Sequence, residues 1–212
     1  MPELSQQIRK KPVALSIKKC RNAYCFSTQE ANVHLVRYNG KPAVLRLLKP
    51  RYSAQPSSSM KMDAANNFAM QSIFHIIFPR YSIHPLSVMS VSSKFGKRWG
   101  MVSEVVKARS ADYKAFQQGF YGLEQHRNSP AYKRHEDFVK KIAVPISGEI
   151  YKKTGIVVND YPVNVCNVKG KPIFFEIDGI NPKKLKEYVD SQNFDPKTKE
   201  TLSALLKFKE LF

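Results

Sequence analysis

The dipeptide Asn39-Gly40 constrains this chain of 212 residues more than any other feature. It supplies the two positive-φ positions of a tight hairpin turn, so the apolar segments on either side must pair antiparallel. Val33, Leu35 and Val36 lead into it, and Ala43-Val44-Leu45-Arg46-Leu47-Leu48 leads out. Side chains alternate along a strand, which puts Val44 and Arg46 on one face and Leu45 and Leu47 on the other.

The remaining pattern extends this start. Pro50 to Ser59 is rich in Ser and Pro and reads as a loop. Asp63 is a candidate helix N-cap, followed by Ala65, Phe68, Ala69, Ser72, Ile73, Ile76 and Ile77 at helical spacing up to Pro79. Leu86–Val91 and Trp99–Val106 read as a second hairpin. Phe138, Val139, Ile142, Ile146 and Ile150 share a helical stripe, broken or kinked at Pro145 and stopped at Gly155 after Lys152-Lys153. Ile156-Val157-Val158 is a short strand. A third hairpin runs from Val163–Val168 through a Lys169-Gly170-Lys171-Pro172 turn to Ile173–Ile177. Leu202, Leu205, Leu206, Phe208 and Leu211 close the chain as an amphipathic helix. Strands cluster first and helices later, an α+β pattern in two lobes. The expected division is a basic arm at 1–14, a β-rich N-lobe with one helix at 15–106, and a helical C-lobe at 107–212.

The formal net charge of +18 implies an anionic partner: a nucleotide, an acidic protein surface, a nucleic acid or a membrane face. No apolar run reaches the roughly 18 residues of a membrane helix, and no apolar h-region marks a secretory signal at the N-terminus. Cys20, Cys25 and Cys166 are odd in number and lack metal spacing, which suits a reducing compartment. The expected location is therefore intracellular and cytoplasmic, with delivery into a host cell by another route left open. His34, His75, His84, His126 and His135 show no metal spacing and read as structural. No aromatic motif interleaves with the basic residues as sequence-specific RNA reading requires.

Chemistry concentrates in Gly155-Ile156-Val157-Val158-Asn159-Asp160-Tyr161-Pro162-Val163-Asn164-Val165 and in Phe174-Phe175-Glu176-Ile177-Asp178-Gly179. An acid and an amide lie four residues apart on a loop after a helix, and a second acid follows 18 positions past the first. Phosphoryl transfer uses such a set: one carboxylate orients the attacking group, while an amide and a second carboxylate hold magnesium against the phosphates. Each pair alone is ordinary turn chemistry.

Taken in order, these segments resemble the catalytic loop and metal-binding strand of the protein-kinase-like superfamily, in a RIO-like or minimal, bacterial effector-type form. Phe26-Ser27-Thr28-Gln29-Glu30-Ala31-Asn32-Val33-His34-Leu35-Val36 resembles the phosphate-loop segment of RIO kinases. Lys41-Pro42-Ala43-Val44-Leu45-Arg46-Leu47 resembles the strand with the nucleotide-binding lysine. Met101-Val102-Ser103-Glu104-Val105-Val106 resembles the hinge that holds adenine through its backbone. The resemblance spans residues 24 to 180 and implies a two-lobed kinase-like fold with a truncated C-lobe, since 34 residues follow Asp178. It implies ATP with Mg2+ or Mn2+ as cofactors. Asp160 would be the catalytic base, Asn164 and Asp178 the metal ligands, and Ser27, Thr28, Arg46 and the Glu104 backbone the nucleotide contacts.

The departures from that pattern define the alternatives. Arg46 replaces the lysine, Asn66-Asn67 stands where the helix should offer a glutamate, and the phosphate loop has lost its glycine. The family spaces its catalytic aspartate five residues before the asparagine, which lands here on Asn159. Asp160 keeps the usual separation from Asp178 and is the preferred base; with Asn159 in that place no side chain could take the proton. The leading expectation is a Ser/Thr protein kinase acting on a protein substrate. The alternatives are a pseudokinase whose basic surface binds an acidic protein or an RNA-containing particle, and a kinase-like small-molecule phosphotransferase.

Overall fold

The computed structural model describes residues 26–27, 31–49, 57–93, 96–106, 111–120 and 127–210. Thr28, Cys20, Cys25, the arm at 1–14 and residues 50–56 of the Ser/Pro segment lie outside them, as do the side chain of Ser27 and Leu211. The described chain is a mixed α+β structure with an antiparallel N-terminal sheet. It divides into two compact units: one takes the residues up to Ala69, His84–Val105 and the chain from Phe208, the other Met70–Ile83 and Val106–Lys207.

The first unit is built on five strands in the order β1-β2-β3-β5-β4, every neighbour antiparallel. They are β1 (Phe26–Ser27), β2 (Ala31–Tyr38), β3 (Lys41–Leu48), β4 (Pro85–Ser93) and β5 (Gly96–Glu104). The Asn39-Gly40 turn has φ of 50° and 76° at its two central residues, the conformation of a two-residue hairpin turn. The register runs unbroken from Tyr38↔Lys41 to Ala31↔Leu48. Ala43, Leu45 and Leu47 are buried and Val44 and Arg46 are half-buried, as the alternation requires. Val36, Ala43, Leu45, Leu47, Met89 and Val102 form one apolar cluster on that face. β3 feeds it at period two with Ala43, Leu45 and Leu47, and β2, β4 and β5 add Val36, Met89 and Val102.

Helix α1 spans Ser57–Ile77. It begins six residues before Asp63, so Asp63 lies inside the helix and is not its cap, and Ser57, Ser58 and Ser59 are helical rather than loop. The expected stripe survives: Ala65, Phe68, Ala69 and Ile73 are buried, together with Phe74.

In the second unit three helices open on a polar cap followed by proline. Ser129 precedes α3 (Pro130–Phe138), Asn181 precedes α5 (Pro182–Ser191) and Asp195 precedes α6 (Pro196–Glu210). Their side chains accept from the amides of Tyr132, Lys184 and Thr198 at 3.2, 3.1 and 3.0 Å. The proline sits where its missing N–H is not needed. Helix α2 covers Ala111–Phe120. Between α3 and α4 (Val144–Thr154) lies one π-helical turn, Val139–Ala143, in which the Val144 amide bonds to the Val139 carbonyl. A proline inside a helix displaces the carbonyl four residues back; the wider turn lets α3 run on into α4 despite Pro145. Gly155 ends α4 with φ of 71°.

Short strands follow: β6 (Ile156–Val158), β7 (Val165–Val168), β8 (Lys171–Phe174) and β9 (Ile177–Ile180). β7 and β8 form a hairpin around Lys169-Gly170, with φ of 52° and 82°. Two expectations change here. Val163 and Asn164 belong to a 3-10 turn, Pro162–Asn164, rather than to the hairpin. Ile177 opens β9, which pairs with β6 instead. Among the described residues no helix is long and apolar enough to cross a membrane.

Candidate functional site

The expected loop and metal strand do come together, within the second unit. β6 and β9 pair as Ile156↔Ile180, Val157↔Gly179 and Val158↔Ile177. Asp178 is skipped: it is the extra residue of a β-bulge, a device that re-aims a side chain out of the regular pleat. Its carboxylate is exposed. Gly179 lies within the strand and is not among the positive-φ glycines, so the bulge, and not a glycine turn, sets the direction of Asp178.

The segment 159–164 is tied to this edge at three points. The Asn159 amide donates to the Glu176 carbonyl at 3.0 Å, and the Phe175 amide donates to the Asn164 carbonyl at 2.8 Å. The Asn159 side chain donates through Nδ2 to Asp178 Oδ1 at 3.0 Å. Its orientation is determined at both ends, because Oδ1 accepts from the Tyr161 amide at 3.1 Å. With the oxygen committed to a backbone donor, the NH2 group must face the carboxylate.

Asp160 points elsewhere. Its Oδ2 accepts from the Ser147 hydroxyl of α4 at 2.5 Å. Ser147 Oγ also lies 2.8 Å from the Val144 carbonyl, so one hydroxyl hydrogen serves two acceptors. Ser147 is buried and Asp160 half-buried. The side-chain amide of Asn164 is half-buried and makes no hydrogen bond among the described residues.

The sequence reading passed over Ser147. The signal was present: Ala143, Ser147, Ile150 and Thr154 repeat at i, i+4, i+7, i+11 and are all buried. A serine on such a stripe needs a partner, and Asp160 is that partner.

The nucleotide-side residues belong to the first unit. Arg46 sits in β3 between Val33 and Met101. Glu104 ends β5 opposite Ala43, and its amide already donates to the His84 carbonyl at 3.0 Å. Its carboxylate lies 3.2 Å from His84 Nδ1. The Glu104 N–H is thus committed within the chain and is not a donor left for adenine.

Among the described residues no group of three His, Cys, Asp or Glu is placed to hold a metal. As the resemblance has it, Asp178 and Asn164 would supply one carboxylate and one amide oxygen. That set suits a hard ion such as Mg2+, which takes few protein ligands and fills its shell with water and phosphate.

No family model matches the sequence, and no curated protein matches it. Among solved structures, the microcompartment-associated aminopropanol kinase is similar over 88% of this chain and 74% of that one, at 13% sequence identity and a TM-score of 0.36. At that distance the site's own geometry has to carry the reading.

Proposed function

We propose that this chain is a kinase-like module that binds a nucleotide with Mg2+ or Mn2+ and transfers phosphate weakly or not at all. The observation that carries the proposal is the Asn159–Asp178 hydrogen bond. The bond sets an amide beside Asp178, the carboxylate this reading gives to the metal, and the reading takes Asn159 for the residue in the base's place. An amide donates there and takes up no proton. Asp160, the acid one residue on, is engaged with Ser147. In this reading Asp178 and Asn164 hold the ion, which draws the phosphates together; a phosphate contact at Arg46 of the first unit is a separate expectation of the same resemblance. The lobes at 15–106 and 107–212, the contacts at Ser27 and Thr28, and a basic surface for an acidic protein or ribonucleoprotein belong to the same proposal.

A second reading keeps Ser/Thr protein-kinase activity with Asp160 as base. In its favour, Asp160 is the one carboxylate of the segment 159–164, and its partner shares a single hydrogen with the Val144 carbonyl. The small-molecule phosphotransferase reading stands behind both.

One experiment separates the first two. Wild type, Asp160→Ala and Asp178→Ala are given labelled ATP with Mn2+ and followed both for label transfer to protein and for a thermal shift. The proposal expects ATP with Mn2+ to raise the Tm of wild type and Asp160→Ala but not of Asp178→Ala, with either no transfer or a weak transfer that Asp160→Ala leaves unchanged. Transfer by wild type that Asp160→Ala abolishes would establish the second reading instead.

A further inference from the structure

Two buried side chains outside the candidate site reach its loop from the α2–α3 pair. The Tyr113 hydroxyl of α2 donates to the Val163 carbonyl at 3.0 Å. His135 of α3 has its Nε2 2.9 Å from the Pro162 carbonyl. A carbonyl only accepts, so Nε2 carries the hydrogen, and the neutral ring leaves Nδ1 bare. That Nδ1 is buried and has no hydrogen-bond partner among the described residues. The ring is 1% exposed and lies against Tyr113, Phe116 and Phe138, with centroids 5.3, 4.9 and 6.3 Å away.

Packing does not call for an imidazole in this cage. A phenylalanine would fill it with no orphaned nitrogen, and leaving a buried polar atom unsatisfied is costly. What the imidazole adds is the one N–H aimed at Pro162. The tyrosine likewise adds one O–H aimed at the next carbonyl. The two accepting carbonyls are consecutive and belong to the 3-10 turn Pro162–Asn164. In that turn the Asn164 amide bonds to the Tyr161 carbonyl at 2.7 Å, and the Asn164 carbonyl receives the Phe175 amide.

We infer that Tyr113 and His135 are positioning residues: together they clamp the turn from behind and fix the backbone from which Asn164 presents its side-chain amide. The clamp explains how a segment with a three-residue turn and no strand of its own keeps its place against Phe175 and Glu176, the link between β8 and β9. The role assigned to Asn164 rests on the metal-site reading above; the clamping of the turn does not.

The test uses Tyr113→Phe, which keeps the ring and removes only the donor, His135→Phe, which replaces the imidazole by an apolar ring, and the double variant. Hydrogen exchange is followed at the amides of Asn164 and Phe175. Mn2+ binding to the full chain is followed by water-proton relaxation. The expected result is a loss of protection at those two amides of about tenfold for each donor removed, the size of one net hydrogen bond. Amides of β2 and β3 keep their wild-type rates, and the Mn2+ midpoint moves to higher concentration. Protection at Asn164 and Phe175 that stays at the wild-type level in Tyr113→Phe overturns the inference, whatever Mn2+ does. A wild type that binds no Mn2+ overturns the metal-site reading alone, and the exchange rates still decide the clamp. If the double variant does not fold, Tyr113→Phe, which removes a single oxygen, decides by itself.

Discussion

The β2–β3 hairpin and the β6–β9 pair solve the same problem in opposite ways. The first aligns eight residues with eight in an unbroken register set by a two-residue turn. The second aligns three residues with four, its strands separated by the whole of the 159–176 segment, and skips Asp178. The hairpin is held by its own ladder and by one apolar face. The β6–β9 pair is held by side chains and loop amides from outside: Asn159, Glu176, Asn164 and Phe175. Regular pairing leaves every side chain where period two puts it. The irregular pair is the one that can turn a carboxylate out of the pleat, and it carries the candidate site.

The sharpest way to break the regular half is at Gly100. A Cβ there would overlap the Arg46 carbonyl oxygen and lie 2.8 Å from Leu47 Cα. Both are backbone atoms of the neighbouring strand, where Leu47 pairs with Gly100 and Arg46 with Met101, and they cannot move without opening the ladder. Gly100→Val is expected to cost about 3 kcal/mol or more, the upper end of overpacking penalties, read as a lowered midpoint in urea unfolding. Asn159→Gly in the second unit should leave that midpoint nearly unchanged. Equal losses from the two would mean that the sheet is no more rigid than the loop.

This contrast also explains what could be read from the residues alone. Asn39-Gly40, the 43–48 alternation, the 65–77 stripe and the Gly155 stop are local signals, each decided within a few residues. They appear where expected. The start of α1 was misplaced because Asp63 is a good cap in isolation, while the three serines before it are indifferent to helix or loop and follow the longer helix. The orientation of Asn159 and Asp160 was not readable at all. Counting along the chain leaves either one facing Asp178; the choice depends on Ser147, thirteen residues before Asp160, and on a bulge in a strand eighteen residues after it.

Ser147→Ala sharpens the comparison from the other side. It removes the hydroxyl that Asp160 accepts and leaves a carboxylate half-buried without that donor. A lost hydrogen bond to a charged group is worth about 1.5–3 kcal/mol, so the Tm should fall by a few degrees. The loss should appear in exchange at the 159–164 amides and spare those of β2 and β3. Ser147→Thr, which keeps the hydroxyl, should recover most of it. If Ser147→Ala leaves the loop amides at wild-type rates, Asp160 is not anchored by α4 and is free to act as a base.

The smallest effect compares one histidine from each unit. Burial pushes the pKa of both His34 and His135 below the usual 6.5; the nearby Arg98 guanidinium adds to this at His34, while the Pro162 carbonyl and Asp112 partly oppose it at His135. Asp112 is in turn paired with Arg134 at 2.7 Å. The sign follows from the neutral folded forms. Above about pH 6.5 neither state is protonated and stability is full; below it the unfolded chain takes up a proton that the folded chain resists. Stability therefore falls as pH drops from 6.5 toward the folded values, by at most about 1.4 kcal/mol per pH unit for each histidine. His135 is buried at 1% exposure and should come close to that slope, whereas His34 is only half-buried and is screened by solvent. Urea unfolding between pH 7.5 and 5.5 should show the slope reduced in His135→Phe and little changed in His34→Asn. The reverse order would place the pH-sensitive element in the sheet and not in the clamp behind the loop.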